Sequence, residues 1–245
     1  MLYEDNQAFK VAHINGYLVA ADDIFIKLRS KAKNGYPKLV QGNKPWDGGG
    51  LILSEVEKET LLLKYPHLSI VIKPYIGSYE FINKKLRYCL WLYGVEPSLY
   101  RKIPEIMDRL KIVASAREKT KTLAVRAQAE TPMLFSQIRQ PNKDYILIPE
   151  TSSSSRKYIP IGFMNMNVIA SNSTLVASGA NMYHFGVLTS NVHMAWMRTV
   201  AGRLKSDYRY SPSVYNNFPW PTPNEAQKAK IEKTAQAILD ARALY

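Results

Sequence analysis

Basic, aromatic and amide side chains are concentrated between residues 151 and 220, where Asp207 is the only acidic residue. The positive charges are Arg156, Lys157, Arg198, Arg203, Lys205 and Arg209, and the later ones are interleaved with Tyr208, Tyr210, Tyr215, Asn216 and Asn217. Guanidinium and ammonium groups bind phosphates, while amide and guanidinium groups also match base edges. The segment therefore suits nucleic-acid contact, although tyrosines at such positions are also common core residues.

Two polar connections in this region are predicted to read bases. Residues 151–157 contain Ser155, Arg156 and Lys157, and residues 171–181 contain Asn172 and Ser173. Arg156 and Asn172 are the best candidates, because arginine can bridge a guanine edge and asparagine an adenine edge. The alternative is that both connections are ordinary polar loops.

The residue patterns of a catalytic or metal centre are missing from the sequence. There is no GxGxxG turn for a cofactor, and no Asn or Asp followed by Pro-Pro and an aromatic residue to hold a flipped base. Gly48, Gly49 and Gly50 follow no predicted strand, and the four histidines lack partners at metal-ligand spacing. Cys89 has no paired base, and the serines at 152–155 lack a nucleophile elbow. We therefore expect no catalytic, cofactor or metal site in this chain.

The net charge of +13 and the isoelectric point near 9.6 favour a polyanionic partner. Nucleic acid is the first candidate; an acidic partner protein, or a surface charged only for solubility, is the alternative. A single cysteine excludes an internal disulfide and favours a reducing cytoplasm. No apolar run approaches the roughly 20 residues of a membrane span, and the N-terminus is unlike a secretory signal.

Turn and capping signals predict the elements of the first half. We predict a hairpin with strands on either side of Asn15-Gly16, a long loop over 31–50, a helix from the Ser54/Glu57 capping box to about Tyr65, and a buried strand over 81–93.

Apolar spacing predicts the rest. We expect a long basic helix over 97–129 with Arg117 on its charged face, strands over 144–149, 157–164 and 168–177, a helix over 183–203, and a last helix from Asn224 with an apolar stripe of Ile231, Ala235, Ile238 and Leu239. That stripe packs either on the body of the domain or on a missing neighbour.

The irregular order of strands and helices favours an α+β class with small sheets, long helices and a C-terminal helical tail. We divide the chain into a domain over 1–223 and a helical segment over 224–245.

Several stretches together carry a resemblance to a known family. They are INGYLV at 14–19, GN at 42–43, DGG and then LILS at 47–54, GS at 77–78, EFIN at 80–83, RYCLWL at 87–92, PIGF at 160–163, FGVLTSNVHMAWMR at 185–198, GRLKSDYRYS at 202–211 and VYNNFPWP at 214–221. In this order they resemble the C-terminal target-recognition region of type IIL (MmeI-like) restriction-modification enzymes and their methyltransferase relatives.

The resemblance implies a module that reads a short DNA sequence for a methyltransferase held elsewhere. In that family the methyltransferase domain modifies adenine at N6 with S-adenosylmethionine, and a nuclease domain, which uses magnesium, is sometimes fused. The implied partners are double-stranded DNA and a methyltransferase domain or separate subunit, and no membrane. Two rival hypotheses stay open: a specificity subunit for a separate catalytic chain, and a protein-interaction domain with a basic docking face.

The GRLKSDYRYS motif is among the most constant patterns of that family. A constant motif suits phosphates, which do not vary with sequence. We therefore expect Arg203, Lys205, Tyr208 and Arg209 to hold the DNA backbone, with Asp207 orienting an arginine. The alternative is that the motif packs against the methyltransferase domain.

One departure concerns the serines. The family carries Ser-Ser-Glu-Arg-Arg where this chain has four serines at 152–155 before Arg156, which is compatible with altered specificity or with loss of activity.

Overall fold

Short strands and helices of mixed length make up the chain, and the fold class is α+β as predicted. The computed structural model describes residues 1–4, 7–16, 18–26, 29, 31–32 and 35–244. The strands are β1 (Leu2–Glu4), β2 (Gln7–Phe9), β3 (Leu39–Gln41), β4 (Ile52–Leu53), β5 (Ile72–Ile76), β6 (Tyr88–Leu90), β7 (Tyr145–Pro149), β8 (Thr151–Ser152), β9 (Gly162–Met164), β10 (Ile169–Ala170), β11 (Thr174–Ser178), β12 (Gly202–Leu204) and β13 (Asp207–Arg209).

Helices pack against these strands in two separate cores. They are α1 (Glu55–Lys64), α2 (Ser78–Asn83), α3 (Pro104–Glu118), α4 (Leu123–Arg126), α5 (Met182–Leu188), α6 (Asn191–Val200), α7 (Pro212–Asn217) and α8 (Glu225–Ala243), with short 3-10 turns at Pro66–Ile70, Pro97–Leu99 and Ala127–Glu130. In the part of the chain that the structure describes, no helix is long and apolar enough to cross a membrane.

The N-terminal core forms between α1, α3 and a sheet of strand order β10-β5-β6-β4. Leu53, Leu90, Ile106 and Val113 are among its fully buried residues. The predicted capping box is present at α1: Ser54 Oγ accepts from the backbone N of Glu57 at 3.3 Å, and Glu57 Oε2 accepts from the backbone N of Ser54 at 2.8 Å. These bonds satisfy amides that a helix start leaves free, and they fix where α1 begins.

The C-terminal core packs α5, α6, α7 and α8 against a sheet of strand order β3-β11-β7-β9. Gly186 lets α8 approach α5, because a Cβ there would lie 2.8 Å from Cγ2 of Ile231 and 3.1 Å from Cβ of Ala235. Ile231, Ala235 and Leu239 of the predicted stripe therefore pack on the body of the chain, whereas Ile238 is exposed. The boundary between residues 223 and 224 stays a prediction.

A third, smaller sheet of order β12-β13-β8 lies beside the C-terminal core. Its register pairs Tyr208 with Ser152 and Arg209 with Thr151. The β12–β13 hairpin is thus joined to the strand that precedes the serine-rich turn.

The hairpin predicted around Asn15-Gly16 is wrong. A turn forms, with Leu18 N bonded to Asn15 O at 2.9 Å, but the described residues of 10–26 form no strand. Ile24 and Phe25 are 84% and 82% exposed, so most of their apolar surface is not covered by the rest of the chain. Tyr17 lies outside the described residues. An isolated two-stranded hairpin is marginal in water, and the turn signal alone does not stabilise it.

The helix predicted over 97–129 ends at Glu118, and Arg117 lies inside the protein with 0% exposure. Its guanidinium donates to five backbone carbonyls, those of Pro45, Trp46, Gln128, Thr131 and Leu134, at 2.6–3.0 Å. These bonds hold the segment that contains Gln128, Thr131 and Leu134 against α3. Arg117, which was predicted to lie on the charged face, is therefore a buried structural residue.

The other differences shorten or interrupt predicted elements. Ser190 Oγ accepts from His193 N at 3.2 Å and begins α6, which splits the helix predicted over 183–203. Lys84 has a φ of 52° and closes α2, so only Tyr88–Leu90 of the strand predicted over 81–93 is extended. β3 lies within the loop predicted over 31–50, and β9, β10 and β11 cover only parts of the strands predicted over 157–164 and 168–177.

Candidate nucleic-acid interface

The six predicted basic residues lie on the turn after β8, the end of α6 and the β12–β13 hairpin. We call this set the hairpin surface: Arg156, Lys157, Arg198, Arg203, Lys205 and Arg209, all exposed. Besides the β8–β13 pairing, Ser154 N donates to Asp207 Oδ1 at 3.2 Å, and Arg198 Nη2 donates to Lys157 O at 3.2 Å. Three segments far apart in sequence therefore form one connected cationic surface.

The hairpin itself holds its charges outward. Lys205 occupies the turn with a φ of 56°, and the Arg203 guanidinium lies 3.8 Å from the ring centroid of Tyr208. Tyr208 is only 8% exposed, so its ring is chiefly a platform under Arg203. Asp207, for which an arginine partner was predicted, accepts from the Ser154 amide.

The serine-rich turn is held by its own side chains. Ser153 Oγ and Ser155 Oγ are 2.9 Å apart, and Arg156 N donates to Ser153 O at 3.1 Å. The exposed Arg156 side chain makes no hydrogen bond with any described residue. Its guanidinium is free to meet a ligand.

The remaining aromatic and amide residues of the predicted surface belong to the core instead: Tyr210, Tyr215, Asn216 and Asn217 are buried. Tyr215 OH donates to Pro37 O at 2.8 Å, and Tyr210 OH lies 2.8 Å from Nε2 of the buried His193. Burial lowers the pKa of His193 to about 4, because desolvation disfavours its charged form. These residues support the hairpin from beneath.

Asn172 and Ser173 lie in the β10–β11 turn, and their backbones are firmly held. Asn172 N donates to Asn43 O at 2.9 Å, and Asn172 O accepts from Gln41 Nε2 at 2.8 Å. Ser173 Oγ accepts from Ser78 N at 3.0 Å. The half-buried Asn172 side-chain amide has no hydrogen-bond partner among the described residues.

Glu150 connects this turn with the hairpin surface. Its carboxylate accepts from Arg209 Nη2 at 3.1 Å and from Gln41 Nε2 at 3.4 Å. Its backbone N donates to Ser173 O at 3.0 Å, and its backbone O accepts from Tyr210 N at 2.7 Å. Glu150 therefore joins the Asn172–Ser173 turn to Arg209 at the edge of the hairpin surface.

The turn rests on Gly42 and Asn43, which the sequence analysis names only as part of the family resemblance and without a role. Gly42 leaves no room for a Cβ, which would lie 2.3 Å from Ser171 O. Asn43 is 0% exposed; its Nδ2 donates to Gln140 Oε1 and Ala170 O at 2.8 and 2.9 Å, and its Oδ1 accepts from Arg139 N at 2.7 Å. We call Gln41, Asn43, Arg139, Glu150 and Asn172 the junction cluster.

One signal could have identified part of this cluster. Between Asp144 and Glu225 the sequence has only two acids, Glu150 and Asp207. An isolated carboxylate beside a strongly basic segment is a candidate for a functional role, so Glu150 could have been identified from the sequence. Gln41 and Arg139 have no comparable feature.

The triple glycine does not form a phosphate or cofactor cradle. A Cβ at Gly48 would lie 2.7 Å from Cβ of Ala116, and one at Gly50 would lie 2.5 Å from Arg109 O. Asp47 Oδ2 accepts from Leu51 N and Ile52 N, which uses nearby amides. These residues pack the loop on α3 and do not fit S-adenosylmethionine. No group of three metal-ligating side chains was found in the part of the chain that the structure describes.

The fold and the interface place the chain among target recognition domains. It belongs to the family described as "MmeI, target recognition domain", whose family model matches residues 20–222. The chain is 39% identical over 242 residues to DNA methyltransferase A of Bacillus subtilis (strain 168), covering 98% of this chain and 28% of that protein.

A solved structure of the type IIL restriction-modification enzyme MmeI in complex with DNA is similar with a TM-score of 0.90 and 44% identity. The match covers 98% of this chain and 32% of that one. The chain thus spans about a third or less of the length of these relatives.

Proposed function

We propose that this chain is the DNA target-recognition module of a restriction-modification methyltransferase. It binds double-stranded DNA and reads a short sequence, and a catalytic unit outside this chain methylates adenine at N6. The single observation that carries the proposal is the hairpin surface, in which three connected segments hold six exposed cations. This surface adjoins the anchored Asn172–Ser173 turn at Glu150.

The hairpin surface is suited to phosphates. Arg203 and Lys205 project from a two-stranded ribbon, and Arg198 and Lys157 are tied together beside it. Exposed cations gain from releasing counterions when they meet the DNA backbone, whatever its sequence. Tyr208 contributes by keeping Arg203 in place, and Arg209 lies where this surface meets the junction.

We assign base recognition to the two polar turns, residues 151–157 and 171–181. Arg156 and Asn172 have side-chain groups free for a guanine and an adenine edge, respectively. Ser155 and Ser173 flank them; Ser173 already binds Ser78, so its contribution to DNA is to hold Asn172 in position. The serines at 154 and 155 imply a readout without charged contacts at those positions.

We assign catalysis and cofactor binding to the parts of the enzyme that lie outside this chain. S-adenosylmethionine binds to the methyltransferase domain or subunit, which is a partner of this chain, and magnesium is needed where a nuclease is fused. By itself this chain is not an enzyme. Its one cysteine, Cys89, is free and buried, which accords with a cytoplasmic protein.

The test is DNA binding by the purified chain. Fluorescence anisotropy with a labelled random-sequence duplex at 50 and 200 mM salt should show binding that weakens steeply with salt. Sequencing of duplexes selected from a randomised library should give a short motif. No binding at low salt, with retention by an acidic protein column, would favour the protein-docking alternative.

A companion assay separates recognition from catalysis. The chain incubated with labelled S-adenosylmethionine and a duplex library should transfer no methyl group, with or without magnesium. Single-turnover methylation by the purified chain would overturn this division of labour. If a separately encoded catalytic chain co-purifies and restores methylation, the specificity-subunit version of the proposal applies.

A further inference from the structure

We propose that Arg139 is an additional base-reading residue, which acts as a pair with Asn172 and recognises a guanine next to the base pair that Asn172 reads. The inference rests on the proposed function, since it assumes that the chain reads DNA. Arg139 lies outside both polar turns and comes from a different part of the chain.

Arg139 and Asn172 are held by one buried residue. Arg139 N donates to the side-chain oxygen of Asn43 at 2.7 Å, while Asn172 N donates to its backbone oxygen at 2.9 Å. Asn43 is fully buried and all its polar groups are bonded. Two loops that are remote in sequence thus share a single buried support, which fixes the spacing between the backbones that carry the two side chains.

Gln41 then ties the pair together at the surface. Its Nε2 donates to Asn172 O at 2.8 Å, and its Oε1 accepts from Arg139 Nη1 at 3.5 Å. The other guanidinium nitrogens of Arg139, Nε and Nη2, have no partner among the described residues. Arg139 is exposed, so these nitrogens can form the two-pronged donor that matches O6 and N7 of guanine.

The neighbouring carboxylate adds a hydrogen-bond acceptor to the donors of the cluster. Glu150 Oε2 lies 3.4 Å from Gln41 Nε2, and Glu150 Oε1 is paired with Arg209. A base edge that carries amino groups would find an acceptor in Glu150 and donors in Arg139 and Asn172.

The test is selection from a duplex library with a randomised core, using the full chain as wild type, Arg139→Ala, Arg139→Lys and Asn172→Ala. Arg139→Ala should lose about tenfold or more discrimination for guanine at one position and keep the other positions. Arg139→Lys should lose it too, because lysine retains the charge but not the fork. Asn172→Ala should relax the adjacent position. Lys143→Ala, an exposed neutralisation in the same loop, is the matched control and should leave the motif unchanged.

The outcomes separate this inference from the proposed function. A wild-type chain that binds duplexes but enriches no motif contradicts the proposed function. A wild-type motif that Arg139→Ala and Arg139→Lys leave intact overturns the role of Arg139 alone. Uniform weakening on all sequences by Arg139→Ala, with Arg139→Lys restoring binding, would make Arg139 a phosphate contact and also overturn the inference. Equal thermal unfolding temperatures of the variants confirm that folding is unchanged.

Discussion

The hairpin surface and the junction cluster lie side by side but are built in opposite ways. Each cation of the hairpin surface is exposed, and its links run mainly through backbone groups and one aromatic platform. The junction cluster centres on a fully buried asparagine whose side-chain hydrogen bonds reach two segments, at Arg139–Gln140 and at Ala170.

This difference suits two tasks. Phosphates are identical at every step of DNA, so exposed cations can bind them without a buried support. Discrimination between bases needs donors and acceptors held within a few tenths of an ångström, which requires support from beneath. Three changes test this contrast, beginning with the largest expected effect.

Replacing the anchor should destabilise the whole domain. Asn43→Ala removes three side-chain hydrogen bonds, including the one that the Arg139 backbone N donates to Asn43 Oδ1. We expect the free energy of unfolding in urea to fall by about 3 kcal/mol. Asn142→Ala, an exposed asparagine close in sequence to Arg139, should change it by less than about 0.5 kcal/mol. Similar small effects for both variants would show that Asn43 is not the anchor.

The stability that buried His193 contributes beneath the hairpin should depend on pH. Asn43, the anchor of the junction cluster, has no titratable group. The pKa of His193 is lowered from 6.5 to about 4, so the folded state favours the neutral ring. The contribution of His193 to the free energy of unfolding is complete above pH 6.5. It is lost as the pH falls towards 4, because the histidine takes up its proton first in the unfolded chain. By pH 5 the loss is about 2 kcal/mol.

Urea unfolding at pH 7 and pH 5 measures this effect. His193→Gln keeps a polar partner for Tyr210 but does not titrate, so its stability should change less between the two pH values than that of the wild type. The same pH dependence in both proteins would assign the loss to other groups.

The smallest effect is expected at the hairpin tip. Lys205→Asn removes one charge while asparagine tolerates the left-handed backbone of the turn. Affinity should weaken about equally for all duplexes, and the slope of log affinity against log salt should flatten by about 0.9. The selected motif should not change. An altered motif with an unchanged slope would reverse the roles given to the two regions.

Local signals in the sequence predicted several elements well. The Ser54–Glu57 capping box located the start of α1, and Asn224 with Gln227 located that of α8, because both ends depend on contacts within one turn. The basic residues of the hairpin surface were also apparent, since exposed charges retain in the fold the property they show in the sequence.

Residues whose role depends on distant chain could not be predicted in this way. Arg117 has the helical spacing of a surface charge, yet five carbonyls from two remote segments surround it. Gln41, Asn43 and Arg139 are ordinary polar residues until the fold brings positions 41–43, 139 and 172 together.

The sequence by itself determined the cationic character, the family resemblance and the starts of α1 and α8. These follow from composition and from interactions within a few residues. Only the tertiary structure decided which polar groups are buried, which remain free, and which two loops share Asn43. That choice depends on contacts across more than 90 positions, and no local pattern encodes the partner of a hydrogen bond over such a separation.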